Sequence, residues 1–136
     1  MPRFILIALA FLLAGCATLN EQECRSKPAA QLGLEDGRQG YGLWRLEKHV
    51  EACARFGLTI DRTSYLAARE RGLRDYCTPD NGERVGRRGE RYENVCPADL
   101  EGPFLKRYYP AYMEYRLDYY HDGFWPAFPR YPYRRW

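Results

Sequence analysis

The sequence has no apolar run long enough to cross a bilayer. Its N-terminal apolar run covers residues 4–13, whereas a membrane-spanning helix needs about 20 apolar residues. It also has no strong excess of one charge, because the formal net charge is +3, which argues against a nucleic-acid binder. Aliphatic residues are scarce after residue 16, while tyrosine occurs 12 times. We therefore expect a core that depends on aromatic rings and cross-links.

The N-terminal segment has the pattern of an export signal. Arg3 precedes the apolar run, and Leu13-Ala14-Gly15-Cys16 follows it. A basic residue before an apolar stretch is typical of a secretory signal. The last four residues are typical of a bacterial lipobox, in which a peptidase cuts before the cysteine and the thiol accepts diacylglycerol; an ordinary signal peptide ending near a cysteine is the alternative. We predict removal of residues 1–15, with cleavage between Gly15 and Cys16 and attachment of lipid, palmitate included, at Cys16.

This N-terminus predicts a location. Two or more acyl chains hold a protein stably on a membrane. Ala17 stands where an Asp would retain a lipoprotein in the inner membrane of Gram-negative bacteria. We therefore expect a lipid-anchored protein of the bacterial cell envelope, at the outer membrane and facing the periplasm. Export to this compartment excludes nucleic acid as a partner.

The remaining cysteines predict disulfides. An even number of cysteines in a small exported domain indicates disulfides, because the periplasm is oxidising. Four cysteines allow three connectivities, and we favour the pairing of neighbours in sequence. Each such bond would stabilise the domain by about 3 to 4 kcal/mol. The expected pairs are Cys24 with Cys53 and Cys77 with Cys96.

Apolar residues at steps of three and four predict helices. One helix ends at Cys53, and a second runs from Asp61 or Thr63 to Cys77. A third begins at Pro97 or Asp99 and kinks or ends at Pro110, followed by a helical piece over residues 111–120. Residues 82–96 are predicted as a loop rich in glycine and arginine.

The predicted fold class is mainly α: a small disulfide-stabilised helical domain with Gly/Arg-rich loops and an irregular aromatic C-terminal tail. The predicted segments are the signal peptide 1–15, the lipidated N-terminus and tether 16–32, a single helical domain 33–122, and the tail 123–136. The tail carries three arginines and no acidic residue. Such a composition suits contact with an anionic membrane surface, and folding back over the domain is the alternative.

Glycine recurs at a fixed spacing. Gly33-x3-Gly37-x2-Gly40 and Gly82-x3-Gly86-x2-Gly89 share one pattern, and Tyr65-x6-Gly72 partly resembles it. We interpret these segments as variants of one helical turn that packs closely through glycine. Coincidence in a chain rich in glycine and arginine is the alternative interpretation.

A longer series of motifs runs from Asp36 to Pro97. The motifs are Asp36-Gly37-x2-Gly40, His49-x3-Cys53-x3-Gly57, Asp61-x3-Tyr65, Arg71-Gly72-Leu73-x2-Tyr76-Cys77-Thr78, Asn81-Gly82 and Gly86-Arg87-x-Gly89-x2-Tyr92-x2-Val95-Cys96-Pro97. This series resembles a known family, the bacterial lipoproteins grouped as domain-of-unknown-function family 2799. The resemblance covers about residues 24 to 105 and implies a compartment and a domain, but no activity.

Few residues suggest catalysis. His49 and Cys53 stand four apart and share a helix face, but a nucleophilic pair or a zinc site needs a free thiol. We therefore expect His49 to pack against a disulfide or to cap a carbonyl group. Asp36, Asp61 and Asp80 occupy positions where caps and turns favour Asp. We predict no catalytic residue, no metal and no cofactor.

A group of basic residues is a candidate anion site. Its members could hold a phosphate or carboxylate of peptidoglycan or lipopolysaccharide through guanidinium and backbone N–H groups. The alternative is that they pair with Glu83, Glu90 and Glu93. A tyrosine stripe on the last helix, Tyr108, Tyr112, Tyr115 and Tyr119, is either core or a sugar-stacking surface. The candidate anion-binding residues are Arg84, Arg87, Arg88 and Arg91.

These observations predict a non-enzymatic accessory or adaptor role in the cell envelope. The expected partners are the membrane, through the lipid anchor, and envelope proteins or peptidoglycan. The alternatives from other classes are a peptidoglycan- or glycan-binding module and a small periplasmic hydrolase.

Overall fold

A computed structural model describes residues 18–122, which are mostly helical and confirm the mainly α fold class. By their contacts these residues divide into two units, described separately below: residues 18–76 with 93–97, and residues 77–92 with 98–122. None of the helices in this part of the chain is long and apolar enough to cross a membrane. The helices are α1 (Glu21–Ser26), α2 (Ala29–Arg38), α3 (Trp44–Ala54), α4 (Arg62–Tyr76), α5 (Pro79–Arg87) and α6 (Ala98–Asp122).

The first unit begins earlier than the sequence predicted. The expected tether contains a short helix, Glu21–Ser26, because Asn20 and Glu23 form a capping box in which each side chain accepts the other's backbone N–H. A disulfide joins Cys24 to Cys53 with a Cα–Cα distance of 5.5 Å, which confirms this predicted pair. Cys77 and Cys96 are also disulfide-bonded.

Helices α2 and α4 pack backbone to backbone. A Cβ added to Gly33 would collide with the carbonyl of Tyr65, and one added to Gly37 would collide with the carbonyl of Arg69. The two helices run parallel, because the contact positions rise together along both. Gly72 of α4 makes the reciprocal approach, to the carbonyl of Leu34. Glycine is required here because any side chain would separate the helices.

In the second unit, the Gly/Arg-rich loop predicted over residues 82–96 is wrong for residues 82–87, which lie in α5 (Pro79–Arg87). The Thr78 hydroxyl caps this helix by accepting from the N–H of Asn81, and proline is compatible with the first helical position. The glycines belong to the packed face: a Cβ on Gly82 would meet the carbonyl of Phe104 in α6.

Helix α6 continues through Pro110 to Asp122, so this proline does not end it. Proline removes one helical hydrogen bond, normally given to the carbonyl four residues earlier. Here that carbonyl belongs to Lys106, and both Lys106 and Pro110 are exposed. Because this side of the helix is exposed, loss of the bond does not leave the Lys106 carbonyl both buried and unsatisfied.

The two helix pairs, α2 with α4 and α5 with α6, share one plan. Two residues after each first helix stands a glycine of positive φ, +70° at Gly40 and +67° at Gly89, whose face is covered by a tyrosine ring. The predicted glycine repeat is therefore confirmed for its two full copies, whereas Tyr65-x6-Gly72 belongs to a partner helix. In the first pair, the glycines and the residues that they approach are Gly33 with Tyr65, Gly37 with Arg69 and Gly40 with Tyr76. In the second pair, the equivalent contacts are Gly82 with Phe104, Gly86 with Tyr108 and Gly89 with Tyr115.

The equivalence extends to a hydrogen bond. In the first pair, the Arg69 guanidinium donates to the carbonyl of Tyr41 over 2.5 Å. In the second pair, the Tyr108 hydroxyl donates to the carbonyl of Glu90 over 2.9 Å. Tyr41 and Glu90 each directly follow the positive-φ glycine of their pair, Gly40 or Gly89. Different side chains thus satisfy the same backbone group at the same place.

Candidate functional site

The first unit holds polar side chains in its interior. Asp36 of α2, His49 of α3 and Tyr65 of α4 are 6%, 2% and 0% exposed. Burying a carboxylate costs several kcal/mol unless it is hydrogen-bonded and paired with positive charge. The cap or turn expected at Asp36 is therefore wrong, because the residue lies inside α2 and faces the core.

The three side chains form one connected chain of hydrogen bonds. The Asp36 carboxylate accepts from the Tyr65 hydroxyl over 2.5 Å, and its same oxygen lies 2.9 Å from Nε2 of His49. Nδ1 of His49 lies 2.8 Å from the hydroxyl of Thr18. An ionised carboxylate only accepts hydrogen bonds, so the His49 Nε2 atom carries the proton between them. We call Thr18, Asp36, His49 and Tyr65 the polar network.

Two arginines lie beside this network. Nε of Arg45 is 3.7 Å from the Asp36 carboxylate, and its guanidinium lies over the Tyr41 ring, 4.8 Å from the centroid. Arg69 is buried and holds the Tyr41 carbonyl. Among residues 18–122, neither arginine's Nε atom has a hydrogen-bond partner. The guanidinium of Arg45 therefore balances the buried carboxylate by charge rather than through a hydrogen bond.

The hydroxyl of Tyr65 is held in its protonated form. Burial, followed by the hydrogen bond and negative charge of Asp36, raises the pKa of Tyr65 well above its ordinary value of 10.0. Tyr65 therefore keeps its proton throughout the physiological range and donates a hydrogen bond to Asp36.

The second helix pair shows that this fold does not need a polar interior. The residue that corresponds to Asp36 by the glycine spacing is Val85, and Tyr65 corresponds to Phe104; both are fully buried. The Phe104 ring packs against Tyr92, with ring centroids 5.1 Å apart. The same backbone arrangement thus accepts an apolar interior, which is why the polar network is the candidate functional site.

The chemistry open to this site is limited by its own bonds. Asp36, His49 and Tyr65 use their polar atoms on one another, and Cys53 is in a disulfide. The nucleophilic and zinc interpretations of His49 with Cys53, which required a free thiol, therefore fail. In the described part of the chain, no group of three or more His, Cys, Asp or Glu side chains is placed to hold a metal ion. The network suits holding structure in place.

Among the candidate anion-binding arginines, Arg84 and Arg87 lie in α5, Arg88 directly follows it, and Arg91 lies in the non-helical segment before α6. Arg84 donates to Asn81 over 2.9 Å, Arg87 pairs with Glu83 at 2.6 Å and Arg88 pairs with Glu90 at 2.5 Å. Arg87 also lines, with Glu83 and Lys106, a shallow groove of about 200 Å³. Acidic side chains therefore already hold Arg87 and Arg88, while Arg91 is exposed. Anion binding at these residues stays a prediction.

The third predicted acidic partner lies elsewhere. Glu93 accepts from the backbone N–H of Gly42 over 3.0 Å and from the indole N–H of Trp44 over 2.6 Å. Glu93 therefore holds the turn before α3 in place instead of pairing with one of the candidate arginines. Sequence spacing gave no sign of this contact, because the bonded residues are about 50 positions apart.

The tyrosine stripe of α6 belongs mainly to packing. Tyr108 is buried and stacks on Tyr112, with ring centroids 5.3 Å apart, and Tyr115 covers Gly89. The side chain of Tyr119, like Cys16 and the tail 123–136, lies outside the described residues. An exposed row of apolar residues runs along the same helix: Tyr109, Met113 and Leu117.

Comparison with known proteins gives a family. No curated protein and no solved structure matches the chain at a significant level. The family model described as a protein of unknown function, DUF2799, matches residues 30–113, more than half of the chain. The matched span includes Asp36, His49 and Tyr65, but Thr18 precedes it. The chain belongs to the DUF2799 family, as its motifs predicted.

Proposed function

We propose that this chain is a lipid-anchored protein of the bacterial cell envelope, facing the periplasm, whose helical domain has a non-enzymatic accessory or adaptor role. The proposal joins two properties: attachment through lipid on Cys16, and a domain that works by binding and positioning.

The disulfide between Cys24 and Cys53 carries the first part of this proposal. Such bonds persist in oxidising compartments and are rare in the cytosol. The first cysteine of this bond, Cys24, lies only eight positions after Cys16, the last residue of the lipobox-like Leu13-Ala14-Gly15-Cys16. A disulfide-bonded domain directly after such a sequence is what export and lipidation would produce.

The internal bonds of the polar network support the second part. A general base or nucleophile must reach a substrate atom. His49 and Tyr65 are instead buried and bonded to Asp36, and the thiol of Cys53 is consumed. The residues with the most reactive side chains thus serve the stability of the domain.

Metabolic labelling with palmitate in a Gram-negative host tests the anchor. The full-length chain should take up label and fractionate with membranes, and Cys16→Ser should lose both properties. As a matched control, the double variant Cys24→Ser with Cys53→Ser should keep the label, because its lipobox is intact. Label retained by Cys16→Ser would overturn the proposal.

Crosslinking in intact cells tests the adaptor role. We expect the purified chain to bring down a discrete envelope protein, with a lower yield from the Cys16→Ser variant. Recovery of sacculus fragments alone would favour the glycan-binding alternative, and turnover of cell-wall material by the purified domain would favour the hydrolase.

A further inference from the structure

The chain is fixed in the fold from Thr18 onward. Thr18 bonds to the buried His49, and Leu19 is 4% exposed in a core cluster with Leu32 and Leu46. Asn20 then caps α1 through its capping box. Three consecutive residues are thus held by three different interactions, and no flexible segment separates Thr18 from the domain.

The distance from this fixed point to Cys16 is short. Ala17 alone lies between them, and a polypeptide spans at most about 3.3–3.6 Å per residue. The Cα atom of Thr18 therefore lies within about 7 Å of that of Cys16. The polar headgroup layer on each side of a bilayer is about 5–7 Å deep. A lipid on Cys16 would hold the residues around Thr18 within reach of this layer.

The polar network supplies the restraint. An apolar contact slides easily, whereas a hydrogen bond to a buried imidazole fixes one atom in direction and distance. Asp36 and Tyr65 hold the imidazole of His49, and His49 holds Thr18. The second helix pair follows the same backbone plan and has Val85 and Phe104 instead.

We infer that the first helical unit lies directly on the surface of the bilayer that carries Cys16, and that the polar network clamps Thr18 to keep it there. The inference rests on the proposed lipidation of Cys16. It names the lipid headgroup layer as the partner of the surface around Thr18 and α1.

The charges of α1 define what kind of lipid this surface needs. Arg25 pairs with Glu21 at 2.8 Å and Lys27 pairs with Glu23 at 3.2 Å. These pairs bring no net charge to the headgroup layer. Contact therefore comes from the short connection to the anchor and requires no anionic lipid.

Energy transfer in vesicles tests the contact. The lipidated chain, with a fluorescent amino acid in place of Gln22 on α1, is reconstituted into phosphatidylcholine vesicles that contain a headgroup-labelled acceptor lipid. The matched control has a 20-residue Gly/Ser spacer between Ala17 and Thr18, which adds about 25 Å of average reach. We expect transfer to fall at least about twofold with the spacer.

Hydrogen exchange tests the clamp. Thr18→Val removes the hydroxyl and keeps the shape, and His49→Gln is the second variant. Loss of one hydrogen bond should speed exchange at the amides of residues 19 and 20 about fivefold to tenfold. Thr59→Val, at an exposed threonine, is the matched control and should leave these rates unchanged.

Palmitate incorporation is measured on the same samples, so the two proposals fail separately. Absence of palmitate at Cys16 would overturn the anchor and this inference with it. Palmitate at Cys16 with equal transfer with and without the spacer would overturn the membrane contact alone. Exchange rates for Thr18→Val that match those of Thr59→Val would overturn the clamp.

Discussion

The hydroxyl of Tyr65 donates a 2.5 Å hydrogen bond to the carboxylate of Asp36 inside the first helix pair. At the corresponding positions of the second pair, Phe104 and Val85 have no polar side-chain atoms at all. The chain thus contains its own comparison between a polar and an apolar version of one interior, and a double-mutant cycle can use it.

We expect Tyr65→Phe and Asp36→Val each to destabilise the domain by about 1–3 kcal/mol, because each leaves a buried polar group without its partner. The double variant, which copies the second pair, should cost less than the sum of the two changes, with a coupling of about 1 kcal/mol or more. Urea unfolding measures all three. Strictly additive losses would show that the hydrogen bond contributes nothing.

Substitution of the packed glycines should be costly. Gly37→Ala places a methyl group against the backbone of α4 and should lower the free energy of unfolding by about 1–3 kcal/mol or more. Gly102→Ala in α6 is the matched control, because open space surrounds that position; alanine there should stabilise the helix by up to about 1 kcal/mol. Similar effects at both positions, measured by thermal unfolding, would contradict the close packing.

Removal of the disulfide should weaken the domain without removing a contact of the polar network. The bond joins positions 29 apart, and replacing Cys24 and Cys53 together by serine should cost about 3 kcal/mol. Urea unfolding of the oxidised chain and the double variant gives the difference. In the native protein Cys53 should resist alkylation, and rapid alkylation would contradict the bond.

Stability should fall at alkaline pH through Tyr65. Its pKa is raised in the folded state, so the unfolded chain loses this proton first, and the contribution of Tyr65 is complete below about pH 10 and declines above it. Tyr108 shifts in the same direction, mainly through burial. Urea midpoints at about pH 8 and about pH 11 should differ less for Tyr65→Phe than for the natural chain. Equal differences would contradict the shift.

The sequence predicted the helices whose cores are built from side chains. In α3 and α4, apolar residues recur at helical spacing, and residues such as Leu46 and Leu73 are buried as that spacing implies. The cysteine count likewise predicted the bond between Cys24 and Cys53. These features are visible because side-chain hydrophobicity marks the buried face directly.

Helices α2 and α5 could not be found in this way. Two of the four buried residues in each helix are glycines, Gly33 and Gly37 or Gly82 and Gly86, so the positions that pack most closely give no hydrophobic signal. Taking these segments as tether or loop hid the position of Asp36. The signal that could have located it is the glycine repeat itself. When Gly33-x3-Gly37-x2-Gly40 is aligned with Gly82-x3-Gly86-x2-Gly89, Asp36 is equivalent to Val85.

The shared plan of the two helix pairs raises a problem of correct assembly during folding. Because α2 and α5 carry glycine at the same spacing, the glycine pattern alone does not distinguish the native partner of each helix from the partner of the other. In a swapped pair, Asp36 would lie beside Phe104, which has no hydroxyl, and the carboxylate would lose the hydrogen bond that Tyr65 donates, at a cost of about 1–3 kcal/mol. The contrast between a polar and an apolar interior therefore disfavours such a swap, as mismatched buried groups do in other specific pairings.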